Sequence, residues 1–403
     1  MTDSAPAPQS CAVIGGGPAG LIAALSLAYF GVPVSLVARR STQTDNRTTA
    51  LLASSVAALE ALGVWEACQS HAAPLRVMRI ADDTTRLWRA PEVRFEAAEI
   101  DLPAFGWNIE NQHLVAALWD RVAAESGLVH IDCAARSVEI ESSGGTIAPS
   151  EGSPFPAQLM VGADGRHSIC RGAAGIAMAE RSMPQTALTY ILRHSRPHHD
   201  ISTEFHTASG PFTVVPLPGL RSSLVCVATP AEAEDLARLG GRALDIEIER
   251  RCHSILGKVH VEPGHGAFPL LVGTANRFAC GRVTLIGEAA HVFPPIGAQG
   301  LNLGLRDAVT IAEVAGEVFR GGGDIGAAEV MAEYERRRRP DIGSRSVAID
   351  LLNRSLLSDF LPIQGLRGLS LYALDRIGPL RRVLMREGIA PSAAMPLLMH
   401  HGA

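Results

Sequence analysis

Between Cys11 and Ala38 the chain carries no charged side chain, yet the run is not uniform. Cys11-Ala-Val-Ile has the length of a buried strand, and the segment Gly15-Gly-Gly17-Pro-Ala-Gly20 interrupts it. An apolar stretch to Phe30 then has helix length, and Gly31 and Pro33 separate it from a second short apolar stretch, Val34–Val37. The pattern predicts strand, helix, strand. A membrane span needs about 20 uninterrupted apolar residues, and the glycines and prolines divide this run too finely for one.

Further along, the pattern predicts amphipathic helices over 47–63 and 110–126, with alternation at Leu75–Leu87 giving one or two strands and a turn at Asp82-Asp83. Val129–Ile140 and Gln158–Val161 read as short strands around a Gly/Ser/Pro-rich hairpin or loop at 142–156. From about 181 to 275 the texture changes. Leu188–Arg193, Ile201–His206, Phe212–Pro216 and Ser222–Val227 read as antiparallel strands, followed by a helix near Ala231–Cys252. In the third of these strands Phe212, Val214 and Pro216 share one phase and Thr213 and Val215 the other, so the first set either floors a hydrophobic pocket or, at Phe212 and Val214, belongs to the core of the sheet. Helical texture returns at Leu303–Arg320, with Gly321–Gly323 as a linker.

Composition adds limits rather than identity. The 403 residues suffice for a large core or two domains, and a formal charge of -5 gives no reason to expect nucleic acid. Lys258 is the only lysine. The seven cysteines are scattered, with no Cys-x-x-Cys, which suits a reducing compartment and a cytoplasmic chain. Residues 334–403 differ in character: 11 arginines against 6 acids, in a protein that is acidic overall. Arg336–Arg339 is expected to follow a helix, and the mixed Leu/Arg stretch from Leu361 to Met385 reads as a helix packed on the first domain, with a membrane-surface or partner-protein contact as the alternative. Four histidines, His194, His198, His199 and His206, lie near the predicted strands, but none sits in a metal-binding motif, and no metal is expected.

Three stretches carry chemistry. Gly15-x-Gly17-x-x-Gly20 between strand and helix is built to hold a dinucleotide pyrophosphate: Gly15 for the tight turn, Gly17 for close backbone approach, Gly20 for helix–strand packing. Leu159-Met-Val-Gly162-Ala-Asp164-Gly165 ends a strand with a short carboxylate and a flexible backbone. Gly281-Arg-Val-Thr-Leu-Ile-Gly287-Glu288-Ala-Ala-His291-Val-Phe-Pro294-Pro295-Ile-Gly297-Ala-Gln-Gly300-Leu-Asn302-Leu-Gly304-Leu-Arg-Asp307 gives a buried strand, a carboxylate, a proline-stiffened loop and a glycine-rich helix entry. Such a loop can lay bare amides against a flat ring while the helix N-terminus favours negative charge on it.

In this order the three stretches resemble the group A flavoprotein monooxygenases, the aromatic hydroxylases typified by para-hydroxybenzoate hydroxylase, over roughly residues 10–320. The resemblance implies an α/β fold: a Rossmann-like FAD-binding domain (8–73, 108–180 and 276–320), a substrate domain formed by strands in 74–107 and an inserted antiparallel β-sheet at 181–275, and a C-terminal helical region at 321–403. It implies bound FAD held by Gly15, Gly17, Gly20, Arg47, Gln112, Asp164, Gly165 and Glu288, and a flavin-facing loop in which Pro295, Gly297 and Gly300 serve catalysis and Leu301 and Asn302 contact the cofactor. Asp164 is implied in binding the reduced nicotinamide as well. Glu288 stands where the family usually has aspartate. The acid that usually ends the second strand is missing, and Arg39 is there instead, suited to phosphate.

The strings Asn46-Arg-Thr-Thr-Ala-Leu, Ile109-Glu-Asn and Gln299-Gly-Leu-Asn-Leu-Gly-Leu-Arg-Asp307-Ala look most like the ubiquinone-biosynthesis hydroxylases. That likeness implies NADH or NADPH as a transient reductant, O₂ activated as a flavin C4a-hydroperoxide, and a prenylated phenol as the small aromatic substrate. It also allows a chain peripheral to the inner membrane or docked in a biosynthetic complex. Two other readings keep the fold: a monooxygenase for another aromatic compound, and a non-catalytic FAD-binding assembly protein.

Overall fold

A computed structural model describes residues 10–41, 45, 47–84, 91–295, 299–357, 377–389 and 395–400. Its first sheet has six strands in the spatial order Ala279–Cys280, Val283–Leu285, Leu159–Gly162, Cys11–Ile14, Val34–Val37, Leu128–Ile131. All neighbours are parallel except the first pair. Cys11–Ile14 and Leu159–Gly162 are buried at every residue, which is why they read as unbroken apolar runs rather than alternations. The helix Pro18–Tyr29 is buried from Gly20 to Leu27, and it packs along the helix Gln299–Arg320. A helix apolar on all sides belongs in such a middle layer. The strand order reverses at Cys11–Ile14: Val34–Val37, next in sequence, lies on one side, and Leu159–Gly162 lies on the other. The crevice beyond the carboxyl end of this switch point is where open α/β sheets hold ligands.

The second large sheet has nine strands, among them Met178–His194, Arg221–Ala228, Pro211–Leu217, Ile201–His206, Gly266–Ala275, Val77–Asp82 and Val93–Glu96. Its pairings are antiparallel apart from Ile201–His206 against Val77–Asp82. The two-residue strand His291–Val292 returns from the first domain to pair with Gly273 and Thr274. One face is covered by the helices Pro230–Arg238 and Gly241–Arg251, which seal a core containing Leu188, Tyr190, Phe212, Val214, Leu224 and Ile248. The predicted single helix over 231–252 is thus two, broken where Gly240 caps the second and Gly241 takes φ +50°.

Other expectations need correction. Of the predicted 47–63 helix, only Ala53–Ala61 is helical; Thr48–Leu52 is a strand against Gly106–Glu110, where two β-branched threonines and a partner strand outweigh the helical periodicity. Of the two readings for 142–156, the hairpin holds: Gly145–Pro149 pairs antiparallel with Phe155–Ala157, and also with Ala135–Ile140. The stretch 129–140 is two strands in different sheets, Leu128–Ile131 and Ala135–Ile140. Arg336–Arg339 does not follow a helix but lies inside one, Ala328–Leu357, which continues through Pro340.

The helix Gly378–Ile389 packs Met385 against Ala97, Ile100 and Phe105, and Arg381 reaches Glu99. The portion 358–376 of the Leu/Arg stretch lies outside the described residues. Among the described residues, no helix is long and apolar enough to cross a membrane.

Candidate functional site

The three motifs meet in one bay. Gly15 has φ +121°, and a Cβ there would stand 2.2 Å from the Ala163 carbonyl oxygen, so the first motif and the Gly162-Ala-Asp164-Gly165 motif touch main chain to main chain. A Cβ on Gly20 would lie 2.1 Å from the Gly15 carbonyl oxygen. On the far side, a Cβ on Gly304 would come within 3.2 Å of the Gly287 Cα and 3.5 Å of the Ala19 Cβ. The first turns of the helices Pro18–Tyr29 and Gln299–Arg320 are therefore neighbours, and their N-terminal amides and dipoles serve one space.

Three other glycines, Gly17, Gly165 and Gly300, face open space, with nothing within 4 Å of where a Cβ would stand. Beside them, Asp164 accepts a hydrogen bond from the Cys170 N–H at 3.1 Å through Oδ2, while its Oδ1 is buried and has no partner. An open cradle of main-chain amides and an orphaned carboxylate oxygen fit a cofactor that brings phosphates and hydroxyl donors together. The residues present fit FAD.

The rim is charged. Arg47 forks onto Asp45, with Nε and Nη2 both at 2.8 Å, and its guanidinium lies 5.6 Å from the centre of the Phe268 ring. The hydrogen bond to Asp45 holds Arg47 above its ordinary value against the pull of burial, and the charge of Glu288 adds to this, which puts Glu288 and Arg47 on the same rim. Burial works against the Asp45 carboxylate, but bonds from Arg47 and Asn111 hold it below the usual range. Glu288 itself is exposed, as are Pro295 and Gly300.

Other predicted contacts have partners within the chain. Gln112 is exposed, and its amide donates to Glu110 at 3.2 Å. Arg39 is exposed and pairs with Glu151 at 3.1 Å, although its carbonyl lies beside Gly16. The Asn302 side chain is turned away from the bay: Oδ1 accepts from Leu52 N–H (2.9 Å) and the Ser55 hydroxyl (2.7 Å), and Nδ2 donates to the Ala50 carbonyl (2.8 Å). It fastens the helix to the Thr48–Leu52 strand. Leu301 is half-buried beside it, and Gly297 lies outside the described residues.

Of the two readings of the Phe212 and Val214 phase, sheet core is the one the structure supports. Phe212 and Val214 belong to the core under the two covering helices, and the carbonyl of buried Pro216 accepts from Asn108. The face turned toward the first domain carries the other phase, in register: Thr189 opposite Val225, Ile191 opposite Ser223, Val225 opposite Thr213. A small cavity lies against this face, lined by Thr48, Thr189, Ile191, Ser223 and Val225. The Thr48 and Ser223 hydroxyls are 2.9 Å apart, and Asn108 Nδ2 donates to Ser223 Oγ at 3.0 Å.

Sequence reasoning assigned no role to the buried ionic group behind the bay. Asp307 is fully buried. Its Oδ2 accepts from His291 Nε2 (2.6 Å) and the Gly287 N–H (3.1 Å), and its Oδ1 from Arg338 Nε (2.7 Å). Arg338 continues to Asp341 at 2.8 Å, and Asp341 also takes Arg306 (2.7 Å) and Arg345 (2.8 Å). Burial opposes the Asp307 charge, but His291 and Arg338 hold its carboxyl below the usual range. The signal available was Asp307 itself, placed 16 residues after His291 inside a motif otherwise rich in glycine.

Comparison with known proteins agrees with this geometry. A family model described as "FAD binding domain" matches residues 9–345. The ubiquinone hydroxylase UbiL of Rhodospirillum rubrum is 32% identical over 96% of this chain and 91% of its own. The 3-demethoxyubiquinol 3-hydroxylase of Escherichia coli is 30% identical over 95% and 98%. Among solved structures, p-nitrophenol 4-monooxygenase PnpA from Pseudomonas putida superposes with a TM-score of 0.76 at 17% identity, over 95% of this chain and 98% of that one. Klebsiella pneumoniae HpxO, complexed with FAD and uric acid, gives 0.72 at 19%, over 97% and 99%.

Proposed function

Because the chain belongs to the FAD binding domain family, as a group A FAD-dependent monooxygenase of the para-hydroxybenzoate hydroxylase type, we propose that it hydroxylates the ring of a polyprenylated phenol or quinol in ubiquinone biosynthesis, with NADH or NADPH as reductant. The observation that carries this reading is the end-to-end likeness to two ubiquinone hydroxylases, each at 30% identity or more. The character of the open sheet face supports it: Ile191 and Val225 are apolar, and the hydroxyl pair Thr48 and Ser223 offers a polar handle among the cavity's lining residues.

Bound FAD supplies the redox chemistry, passing reducing equivalents from nicotinamide to O₂. The chain's own residues bind, orient and exclude water. The amides at Gly17, Gly165 and Gly300 and the two helix N-termini receive the anionic parts of the cofactor. Asp164 Oδ1 accepts from one of its hydroxyls. The Thr189, Ile191 and Val225 face holds the aromatic ring away from solvent. In the Thr48–Ser223 pair one hydroxyl proton bridges the two oxygens and the other is left to donate to a ring oxygen.

Anaerobic stopped-flow reduction of the yellow protein by NADH and by NADPH, with and without a short-chain prenylphenol, tests this. Reduction that accelerates sharply with the prenylphenol supports it. Acceleration by a non-prenylated phenol alone moves the substrate outside the quinone pathway.

The finer reading of place is a peripheral contact through the helix Gly378–Ile389, where Val383 and Leu384 are exposed next to Arg382. Co-sedimentation with anionic vesicles, lost in Val383→Ser/Leu384→Ser, is the expected result; equal sedimentation of both proteins removes that reading.

A further inference from the structure

The long helix Ala328–Leu357 backs the far side of the cofactor bay at two points seven residues apart, one on each of two walls that meet where Gly287 touches Gly304. Arg338 holds Asp307, and Asp307 in turn takes the N–H of Gly287, the turn at φ +57° on one wall. Arg345, seven residues further along the same helix, donates from Nη1 to Gln299 Oε1 at 2.6 Å, and Gln299 opens the helix whose first turn forms the other wall. Asp341 stands between them and joins Arg338, Arg345 and Arg306. In this group three guanidinium ions meet two carboxylates, so it leaves positive charge behind the bay.

We propose that Arg345 is a positioning residue for the flavin: through Gln299 it fixes the first turn of the Gln299–Arg320 helix, and with Arg338 it locks both walls to one rigid element. The inference rests on the FAD reading of the bay. A buried ionic group is a poor device for stability compared with apolar packing, and its best-attested use is to enforce one arrangement over others. Here the arrangement enforced is the spacing of Gly287 from the helix N-terminus, which decides how squarely the terminal amides meet the anionic edge of a reduced flavin. Arg345 touches neither ring nor substrate in this scheme; it acts through Gln299. The fork geometry matters, because one guanidinium serves Asp341 through Nε and Gln299 through Nη1 at once.

The test compares wild type, Arg345→Lys, Arg345→Met and Gln299→Ala as full-length proteins. The FAD dissociation constant is read by fluorescence titration of the apoprotein, and the midpoint potential of bound FAD by anaerobic dye equilibration. The expected result for Arg345→Met and Gln299→Ala is FAD binding weakened roughly 10-fold, the scale on which loss of a supporting partner weakens metal sites, together with a lower potential. Arg345→Lys keeps the charge but loses the fork and is expected to recover only part of both. Gln299→Ala buries no new charge and keeps the test open if Arg345→Met fails to fold. Folded variants with affinity and potential equal to wild type, or with a lowered melting temperature as the only change, overturn the proposal. A wild-type protein that takes up no FAD overturns the reading beneath it instead.

Discussion

Arg338 Nε lies 2.7 Å from Asp307 Oδ1, and the side chains are 1% and 0% exposed. Each ion has lost its water and depends on the other, and on Asp341, His291 and the Gly287 amide, for all its remaining stabilisation. Removing one partner strands the other. Arg338→Met is therefore expected to destabilise the fold by about 3–5 kcal/mol, measured by urea unfolding of the apoprotein. A loss below about 1 kcal/mol, the size of an exposed pair, would show that water reaches Asp307.

Gly17 and Gly20 separate cofactor binding from folding. A Cβ at Gly20 strikes the Gly15 carbonyl, whereas a Cβ at Gly17 meets nothing in the chain, and the Gly17 backbone at φ -73° suits any L-residue. Gly20→Ala should lower apoprotein stability by about 1–3 kcal/mol. Gly17→Ala should leave the apoprotein melting temperature unchanged and weaken FAD binding. If Gly17→Ala binds FAD normally, the pyrophosphate does not approach there.

The two faces of the inserted sheet should answer mutation differently. Val214→Ala removes packing under the covering helices, and a loss of about 1–3 kcal/mol is expected with substrate-stimulated NAD(P)H oxidation unchanged. Ser223→Ala on the opposite face strands the Thr48 and Asn108 donors, so a loss of about 1–3 kcal/mol is expected, together with a raised KM for a phenolic substrate. Steady-state assays with thermal melts distinguish the pair. The reverse pattern would put the substrate on the helix-covered side.

Acid should unfold the protein in two stages. Burial lowers the His194 value below its ordinary 6.5, outweighing the bonds that favour its charge, with His198 adding to the effect, and His113 is lowered in the same sense. A folded value below the unfolded one means the unfolded chain binds more protons, so this contribution is complete above about pH 6.5 and is lost as pH falls. Asp307 and Asp341 also lie below their ordinary 3.8 in the folded chain, and their contribution fades at more acid pH. The melting temperature should begin to drop below about pH 6.5 and drop again below about pH 4. His194→Gln should blunt the first stage; an unchanged profile would assign it elsewhere.

Much of this was readable in the residues because the bay is made of main chain. Gly15, Gly20 and Gly287 are there for φ or for close approach, and such needs leave a glycine that pattern alone reveals. The inserted sheet was harder. Phe212 and Val214 form the more apolar phase, and apolar alternation marks the side that is sealed, not the side a substrate visits. Asn302 was recognised as special but its partners were not, since Ala50, Leu52 and Ser55 lie some 250 positions earlier. The ionic group was illegible for a related reason. An arginine run expected to follow a helix gives no sign of a buried carboxylate partner until Asp307, from another helix, is placed against it.

The strand order carries a consequence for how the chain is made. Cys11–Ile14 takes its place between Val34–Val37 and Leu159–Gly162, and Leu159–Gly162 is itself flanked by Val283–Leu285. At ~5–20 residues per second on a ribosome, the opening strand emerges on the order of tens of seconds before the last of that row exists. Until Leu159–Gly162 follows, its apolar edge has no native neighbour on that side, an arrangement open to mispairing. The glycine turn is complete only when Asp307 and Arg338, far later in the chain, arrive to fix the far wall.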